Sequence, residues 1–104
     1  MINASVVSTR FFTTRNSQYV LREERYANGI INFSLIKLES WWRVLTKRNL
    51  STYSGKNYNM DENDRVCLFR DSRVVRSTSP LTKRGVTLSM RIAWWIRTKI
   101  SEED

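Results

Sequence analysis

Arginine side chains are the groups in this sequence best suited to chemistry with a ligand. The chain contains 13 arginines and 5 lysines against 10 acidic residues, for a formal net charge of +8. A planar guanidinium group binds phosphate through paired hydrogen bonds and stacks on bases, whereas the lysine ammonium is a compact point charge. Since lysine alone would provide solubility, the excess of arginine favours binding of a polyanion, and each phosphate neutralised would release counterions.

The positive charge is spread over the whole chain and is not confined to one tail. Residues 1–60 carry a net charge of +6 and residues 61–101 a net charge of +5, ahead of three acidic residues at 102–104. We therefore expect phosphate contacts from several segments. The predicted nucleic-acid-binding residues are Arg43, Lys47, Arg48, Arg70, Arg73, Arg76, Lys83, Arg84, Arg91, Trp94 and Arg97.

Two Trp-Trp pairs, Trp41-Trp42 and Trp94-Trp95, lie within basic segments. Neighbouring residues of a helix point about 100° apart, so two adjacent indoles cannot both lie deep in a narrow buried stripe. We expect the first pair and Trp95 to pack in the core. Trp94 points to another side of the helix, between two arginines, where we favour burial in the core or in a protein interface. The alternative is a partly exposed ring that stacks on a base or caps a duplex end.

Catalysis and metal binding have little support in the sequence. The chain has no histidine, which excludes Ser-His-Asp triads, Cys-His dyads and imidazole ligands. Its single cysteine, Cys67, cannot form an internal disulfide or a Cys-rich zinc site, and its apolar surroundings predict a buried, unreactive thiol. The acidic run 61–64 lacks the glycine and the distant glutamate of an EF-hand loop, so we interpret it as a solvated loop. We predict no enzymatic activity, no metal and no cofactor.

Hydrophobic patterning predicts the strands that must position these side chains. Residues 5–14 are rich in β-branched and aromatic types, which predicts a strand. A turn at 15–17 would return the chain into a second strand at 19–25, although Ser17 could instead cap a short helix there. Apolar clusters at 65–69 and 73–76 predict a β-hairpin.

Two segments have the spacing of amphipathic helices. Apolar residues from Ile31 to Leu45 recur on one side of a helical wheel, which predicts a helix at about 34–48. A second helix is predicted at about 87–100, with Leu88, Ile92 and Trp95 on its buried face. Residues 50–64 and 77–85 are interpreted as loops. The predicted fold class is therefore small α+β: one antiparallel sheet covered on one face by two helices.

Length and composition indicate how the chain is organised. A chain of 104 residues fits one small domain, which we place at 1–101 and follow with an acidic C-terminal tail at 102–104. The lone cysteine favours an intracellular, reducing compartment, and no apolar run approaches the length of a membrane span. Residues 1–22 are rich in arginine, serine and threonine and have no acidic residue, so a mitochondrial transit peptide is an alternative to a basic strand pair.

Two functional hypotheses follow from these features. The leading one is a non-enzymatic nucleic-acid-binding protein, with RNA slightly favoured over DNA, such as a ribosomal or other RNP subunit or a viral or phage accessory protein. The alternative is a protein-interaction module or assembly subunit, for example an inhibitor of a host factor, that docks on an acidic protein through arginine and tryptophan. The choice between RNA and DNA, the specific partner and the existence of a homodimer stay open.

Overall fold

A computed structural model places the chain in eight β-strands and two α-helices. The structure describes residues 4–103, with side chains for residues 5–99. In chain order the elements are β1 (Ala4–Thr14), β2 (Gln18–Tyr26), β3 (Ile31–Leu38), α1 (Trp41–Leu45), β4 (Thr52–Gly55), β5 (Asn57–Met60), β6 (Val66–Arg70), β7 (Arg73–Ser77), β8 (Leu81–Thr82) and α2 (Leu88–Glu103).

The strands form two antiparallel sheets. The large sheet has the order β4-β3-β2-β1-β8, and the small sheet has the order β5-β6-β7. A tight turn joins β1 to β2, where the backbone N–H of Thr14 donates to the carbonyl of Ser17 at 2.9 Å. The chain passes from the large sheet to the small one through Lys56, whose N–H donates to the carbonyl of Phe69 at 2.8 Å.

The central part of the large sheet is buried on both faces. Val20 of β2 belongs to a core that α1 and α2 cover, whereas its neighbours Tyr19 and Leu21 belong to a second core that the small sheet covers. The helix-side core consists of Val20, Ile36, Leu38, Val44, Val86, Met90, Ala93 and Trp94. The inter-sheet core consists of Tyr19, Leu21, Leu35 and Leu68. The molecule is therefore built in three layers, which are helices, large sheet and small sheet.

The predicted α+β class is confirmed, but the single sheet is wrong because the strands divide into a sheet of five and a sheet of three. The predicted strands at 5–14, 19–25, 65–69 and 73–76 are present as β1, β2, β6 and β7, and the helix at 87–100 is present as α2. The alternative short helix after Ser17 is wrong. The segments interpreted as loops contain the short strands β4, β5 and β8.

The predicted helix at 34–48 is wrong over most of its length. Residues 31–38 form β3, which pairs with β2 along its whole length, and only Trp41–Leu45 are helical. Because both faces of β3 are covered, neighbouring residues such as Leu35 and Ile36 are both apolar and buried. A continuous apolar run of this kind does not alternate, and its periodicity alone does not distinguish a strand from a helix.

The buried face of α2 is also the opposite of the predicted one. Met90, Ala93 and Trp94 are buried against the large sheet, while Leu88, Ile92 and Trp95 are exposed. On α1, Trp41 and Trp42 are about half exposed, and Val44 is the buried residue that contributes to the core. The predicted core positions of Trp41, Trp42 and Trp95 are therefore wrong, whereas Trp94 is buried in the core, as one of its two interpretations expected.

The two chain ends are only partly described. The backbone of residues 102–103 continues α2 into the predicted acidic tail, while residue 104 and residues 1–3 lie outside the described part. From residue 4 onward, the segment considered as a transit peptide forms β1 and the start of β2. Within the described residues, neither helix has the length and apolar character required to cross a membrane.

Candidate functional site

A concavity lies where three separate segments of the chain meet. It has a volume of about 690 Å³ and is bounded by the β1–β2 turn, by the chain from the end of β3 into α1, and by the turn after β8. We call it the basic recess. Its lining residues are Arg15, Asn16, Ser17, Gln18, Lys37, Leu38, Glu39, Ser40, Trp42, Arg43 and Arg84.

Strand pairing explains why these segments meet. Gln18 at the start of β2 pairs with Leu38 at the end of β3, which brings the β1–β2 turn beside the entry to α1. On the other side, β8 pairs with the end of β1, where the hydroxyls of Thr13 and Thr82 share a hydrogen bond of 2.6 Å. Arg84 follows β8 by two residues, so this short strand fixes its position at the recess.

The recess has a strong excess of positive charge. Four cations and one carboxylate line it. The carboxylate of Glu39 already accepts hydrogen bonds from Arg43 Nη1 at 3.0 Å and from Ser51 Oγ at 3.1 Å. The side chains of Arg15, Lys37 and Arg84 make no hydrogen bond, ion pair or ring contact with any described residue. These three cations are therefore available to an anion.

Ser40 adds an unused hydroxyl group to the recess. It lines the recess immediately before α1, and its Oγ is buried without a hydrogen-bond partner among the described residues. The side chain does not cap the helix. A buried hydroxyl without a partner costs about 1–3 kcal/mol, so such groups are rare in folded proteins. The hydroxyl is covered in this conformation, so an oxygen atom of a bound anion would accept its hydrogen bond after Ser40 rotates about χ1 toward the recess.

Trp42 supplies an aromatic surface beside the cations. Trp42 is 51% exposed and lines the recess. The guanidinium carbon of Arg43 lies 5.6 Å from the centre of its ring, a distance within the range of cation–π contacts. A basic recess with an exposed aromatic ring at its side combines the two elements that bind single-stranded nucleic acid, phosphate contacts and base stacking.

The structure brings only two of the predicted site residues, Arg43 and Arg84, into the recess. Lys83 precedes Arg84 in the same turn. The other predicted cations are distributed over different layers. Lys47 and Arg48 follow α1, Arg91 lies on α2 with its guanidinium 5.2 Å from the Phe11 ring, and Arg70, Arg73 and Arg76 belong to the small sheet.

Arg97 has a structural contact where a phosphate contact was predicted. Its Nη1 donates hydrogen bonds to the backbone carbonyls of Arg43, Val44 and Arg48 at 3.3, 3.3 and 3.0 Å. These carbonyls belong to the C-terminal half of α1 and the chain just after it, so Arg97 ties α2 to α1. Partial burial lowers the pKa of Arg97 because it removes water from around the charged form.

Trp94 is buried, so it does not provide the stacking platform that was considered for it. It is 6% exposed, it belongs to the helix-side core, and the guanidinium of Arg22 lies 5.8 Å from its ring centre. The half-exposed Trp42 replaces it as the candidate stacking residue.

Nine of the eleven residues that line the recess were not among the predicted site residues, and three of these nine, Arg15, Lys37 and Trp42, supply cations or the aromatic surface. Arg15 was expected in a turn of the basic N-terminal segment, Lys37 on the predicted helix at 34–48, whose first part is a strand, and Trp42 in the core. Nothing in the sequence connects these three positions with Arg84, because they meet only through the pairing of β1, β2, β3 and β8. The basic character of Arg15 within a polar turn was the one available signal.

Other candidate chemistry is limited in the described residues. They contain no group of three or more His, Cys, Asp or Glu side chains placed to hold a metal ion. Cys67 is buried as predicted, with its Sγ 3.5 Å from Ser77 Oγ.

Comparison of the chain with protein-family models, curated proteins and solved structures finds no significant match.

Proposed function

We propose that this chain is a non-enzymatic nucleic-acid-binding protein that holds phosphate groups in the basic recess, with RNA slightly favoured over DNA. The observation that carries the proposal is the meeting of Arg15, Lys37 and Arg84 in one recess without a partner among the described residues. Like charges brought together repel one another, and a bound anion relieves that repulsion. The net charge of +8 would also attract a polyanion from a distance.

The proposed contacts are phosphate binding by the recess cations and base stacking on Trp42. Phosphate contacts position a nucleic acid but carry no sequence information, so we expect weak sequence preference. RNA is favoured because RNA-binding proteins commonly recognise unstacked bases of single strands on aromatic side chains. Such a protein would serve as a ribonucleoprotein subunit or as a viral or phage accessory protein.

The remaining basic residues would make weaker contacts outside the recess. Lys83 neighbours Arg84 and would extend the positive surface along the same strand of nucleic acid. Arg70 and Arg73 face each other across the β6–β7 hairpin in the small sheet. These two arginines would form a separate patch that attracts phosphates without selecting the form of the nucleic acid.

Fluorescence anisotropy with nuclease-treated protein tests the proposal. Single- and double-stranded RNA and DNA of equal length are titrated between about 50 and 300 mM salt, because phosphate binding weakens steeply over this range. Arg15→Gln and Arg84→Gln should each weaken binding about fivefold or more. Each should also reduce, by about one, the steepness with which the logarithm of the affinity falls with the logarithm of the salt concentration. Arg73→Gln is the matched control, since it removes the same charge from the small sheet.

Two outcomes would contradict the proposal. The absence of binding to all four nucleic acids at the lowest salt would rule out the function. An equal loss of affinity in Arg73→Gln and Arg84→Gln would show that only total charge matters, and the recess would not be the site.

A second candidate function, a protein-interaction module that docks on an acidic protein, is favoured by the outer face of α2. Leu88, Ile92 and Trp95 are exposed at spacings of four and three residues, the pattern of a helix that inserts into the groove of a partner. The ammonium group of Lys99 lies 5.1 Å from the Trp95 ring, so the ridge carries positive charge suited to an acidic partner.

Synthetic amphipathic peptides flanked either by glutamate or by lysine distinguish this second function. The glutamate peptide should bind, and Trp95→Ala should weaken that binding about tenfold, as expected for an interface hot spot. Trp41→Ala is the matched control on α1. Equal binding of both peptides, or no effect of Trp95→Ala, would rule out this surface.

A further inference from the structure

We infer that the basic recess binds the terminal phosphate of a single-stranded nucleic acid, with the adjacent base stacked on Trp42. The inference rests on the proposed nucleic-acid-binding function and specifies the chemical group that the recess selects. It is argued from the charge of the recess, from the unpartnered hydroxyl of Ser40 and from the size of the recess.

The charge of the recess fits a terminal phosphate better than an internal one. Glu39 already bonds Arg43 and Ser51, so it neutralises neither Arg15, Lys37 nor Arg84. A phosphodiester within a chain carries one negative charge, whereas a phosphomonoester carries about 1.5 to 2 near pH 7 and has three strong acceptor oxygens. The terminal group therefore satisfies more of the excess positive charge.

Ser40 gives the recess a neutral hydrogen-bond donor in addition to its cations. Its buried Oγ has no partner among the described residues. A phosphomonoester that contacts three cations still has acceptor capacity on its three oxygens, and one of these accepts from the Ser40 hydroxyl once rotation about χ1 turns that covered group toward the recess. The hydroxyl that is unfavourable in the free protein is then satisfied in the complex.

The size and position of the recess favour the end of a strand. The recess is open to solvent, and its volume of about 690 Å³ is within the range of small-molecule sites, about 300–1,000 Å³. A duplex carries its phosphates in rows along its outside, and proteins contact them with cations spread along a surface. Here cations from three separate segments line one recess, and Trp42, which lines it too, would receive one base.

Competition with short RNA strands tests the inference. A labelled single-stranded RNA is displaced from the full chain by unlabelled eight-nucleotide strands of one sequence that carry a 5′-phosphate, a 3′-phosphate or no terminal phosphate. A nucleoside monophosphate and a duplex are included as further competitors. We expect one terminal phosphate to tighten binding about tenfold or more, and the comparison of the two ends identifies which end is bound.

Variants of the recess locate the phosphate. Ser40→Ala and Arg84→Gln should each bring the ratio of affinities for strands with and without a terminal phosphate close to one. Arg73→Gln should preserve that ratio. Ser40→Ala should also leave the thermal unfolding midpoint unchanged or raise it, because it removes a buried hydroxyl without a partner. A purely structural role of Ser40 would instead lower that midpoint.

The possible failures separate this inference from the proposed function. Equal binding of strands with and without a terminal phosphate would overturn the inference and leave the proposed function standing. Binding of no nucleic acid would overturn both. If the monophosphate competes as strongly as the phosphorylated strand, the recess binds free nucleotides. If the preference for a terminal phosphate survives both Ser40→Ala and Arg84→Gln, the phosphate binds elsewhere. Either result would overturn the inference.

Discussion

Trp94 and Trp95 are consecutive residues of α2, yet Trp94 is 6% exposed against the large sheet and Trp95 is 58% exposed to solvent. The first indole belongs to the helix-side core together with Met90 and Ala93. The second lies on the outer ridge with Leu88 and Ile92. The helix therefore has apolar residues on two sides, and packing against the sheet covers only one of them.

Alanine substitutions at the two tryptophans should have very different effects on stability. Trp94→Ala removes a large buried side chain and should lower the free energy of unfolding by about 3–5 kcal/mol. Trp95→Ala should change it by less than about 0.5 kcal/mol, as expected for a surface position. Urea unfolding followed by far-UV circular dichroism measures both variants, and similar losses would contradict the orientation of α2.

Gly55 should tolerate no side chain, because it lies where the two sheets touch. A Cβ atom at this position would lie 2.7 Å from Leu68 Cγ and 2.7 Å from the carbonyl oxygen of Phe69. We expect Gly55→Ala to destabilise the fold by about 1–3 kcal/mol, the usual cost of overpacking. Ser54→Ala, on the opposite face of the same strand, is the control and should have a small effect. Chemical denaturation of both variants gives the comparison.

Arg97 should contribute to stability through the junction of the two helices. Arg97→Met keeps much of the side-chain volume but removes the three hydrogen bonds that Nη1 donates to backbone carbonyls. We expect a loss of about 1–2 kcal/mol, since the group is charged but only partly buried. Arg73→Met, which changes the same charge at an exposed position, should cost less than about 0.5 kcal/mol. Equal effects in thermal unfolding would show that the junction contributes nothing.

The β6–β7 turn should become more stable with glycine. Asp71 and Ser72 both have positive φ, 52° and 66°, as a two-residue type I′ turn requires. This left-handed conformation is unfavourable by about 1 kcal/mol for residues other than glycine, and glycine avoids most of that cost. Ser72→Gly should therefore raise the unfolding free energy by about 0.5–1 kcal/mol. Ser79→Gly is the control, because Ser79 does not have a positive φ, and it should not stabilise the protein. A higher free energy of unfolding in both variants would contradict the turn assignment.

Some elements could be predicted from the sequence because one local signal was sufficient. β1 and β2 follow from runs of β-branched and aromatic residues around a polar turn, and the β6–β7 hairpin follows from two apolar segments around Asp71-Ser72. α2 has enough apolar residues over its length to be recognised as a helix. In each case the backbone conformation is favoured by the residues themselves.

β3 could not be predicted in the same way. Its residues are apolar on both sides because the helices cover one face of the large sheet and the small sheet covers the other. The sequence does not contain the information that a second sheet will cover Leu35 and Tyr19. Without it, the apolar run from Ile31 to Leu45 matched the spacing of one helix.

Composition and local patterning are sufficient to predict the α+β class, the hairpins, the helix α2 and the excess of positive charge. Which side of α2 is buried, which tryptophan is exposed and which cations meet depends on the packing of distant segments. Arg15, Lys37 and Arg84 lie far apart in the chain and come together only after β1, β2, β3 and β8 have paired. Long-range pairing of this kind depends on contacts between distant residues, which local patterns do not encode.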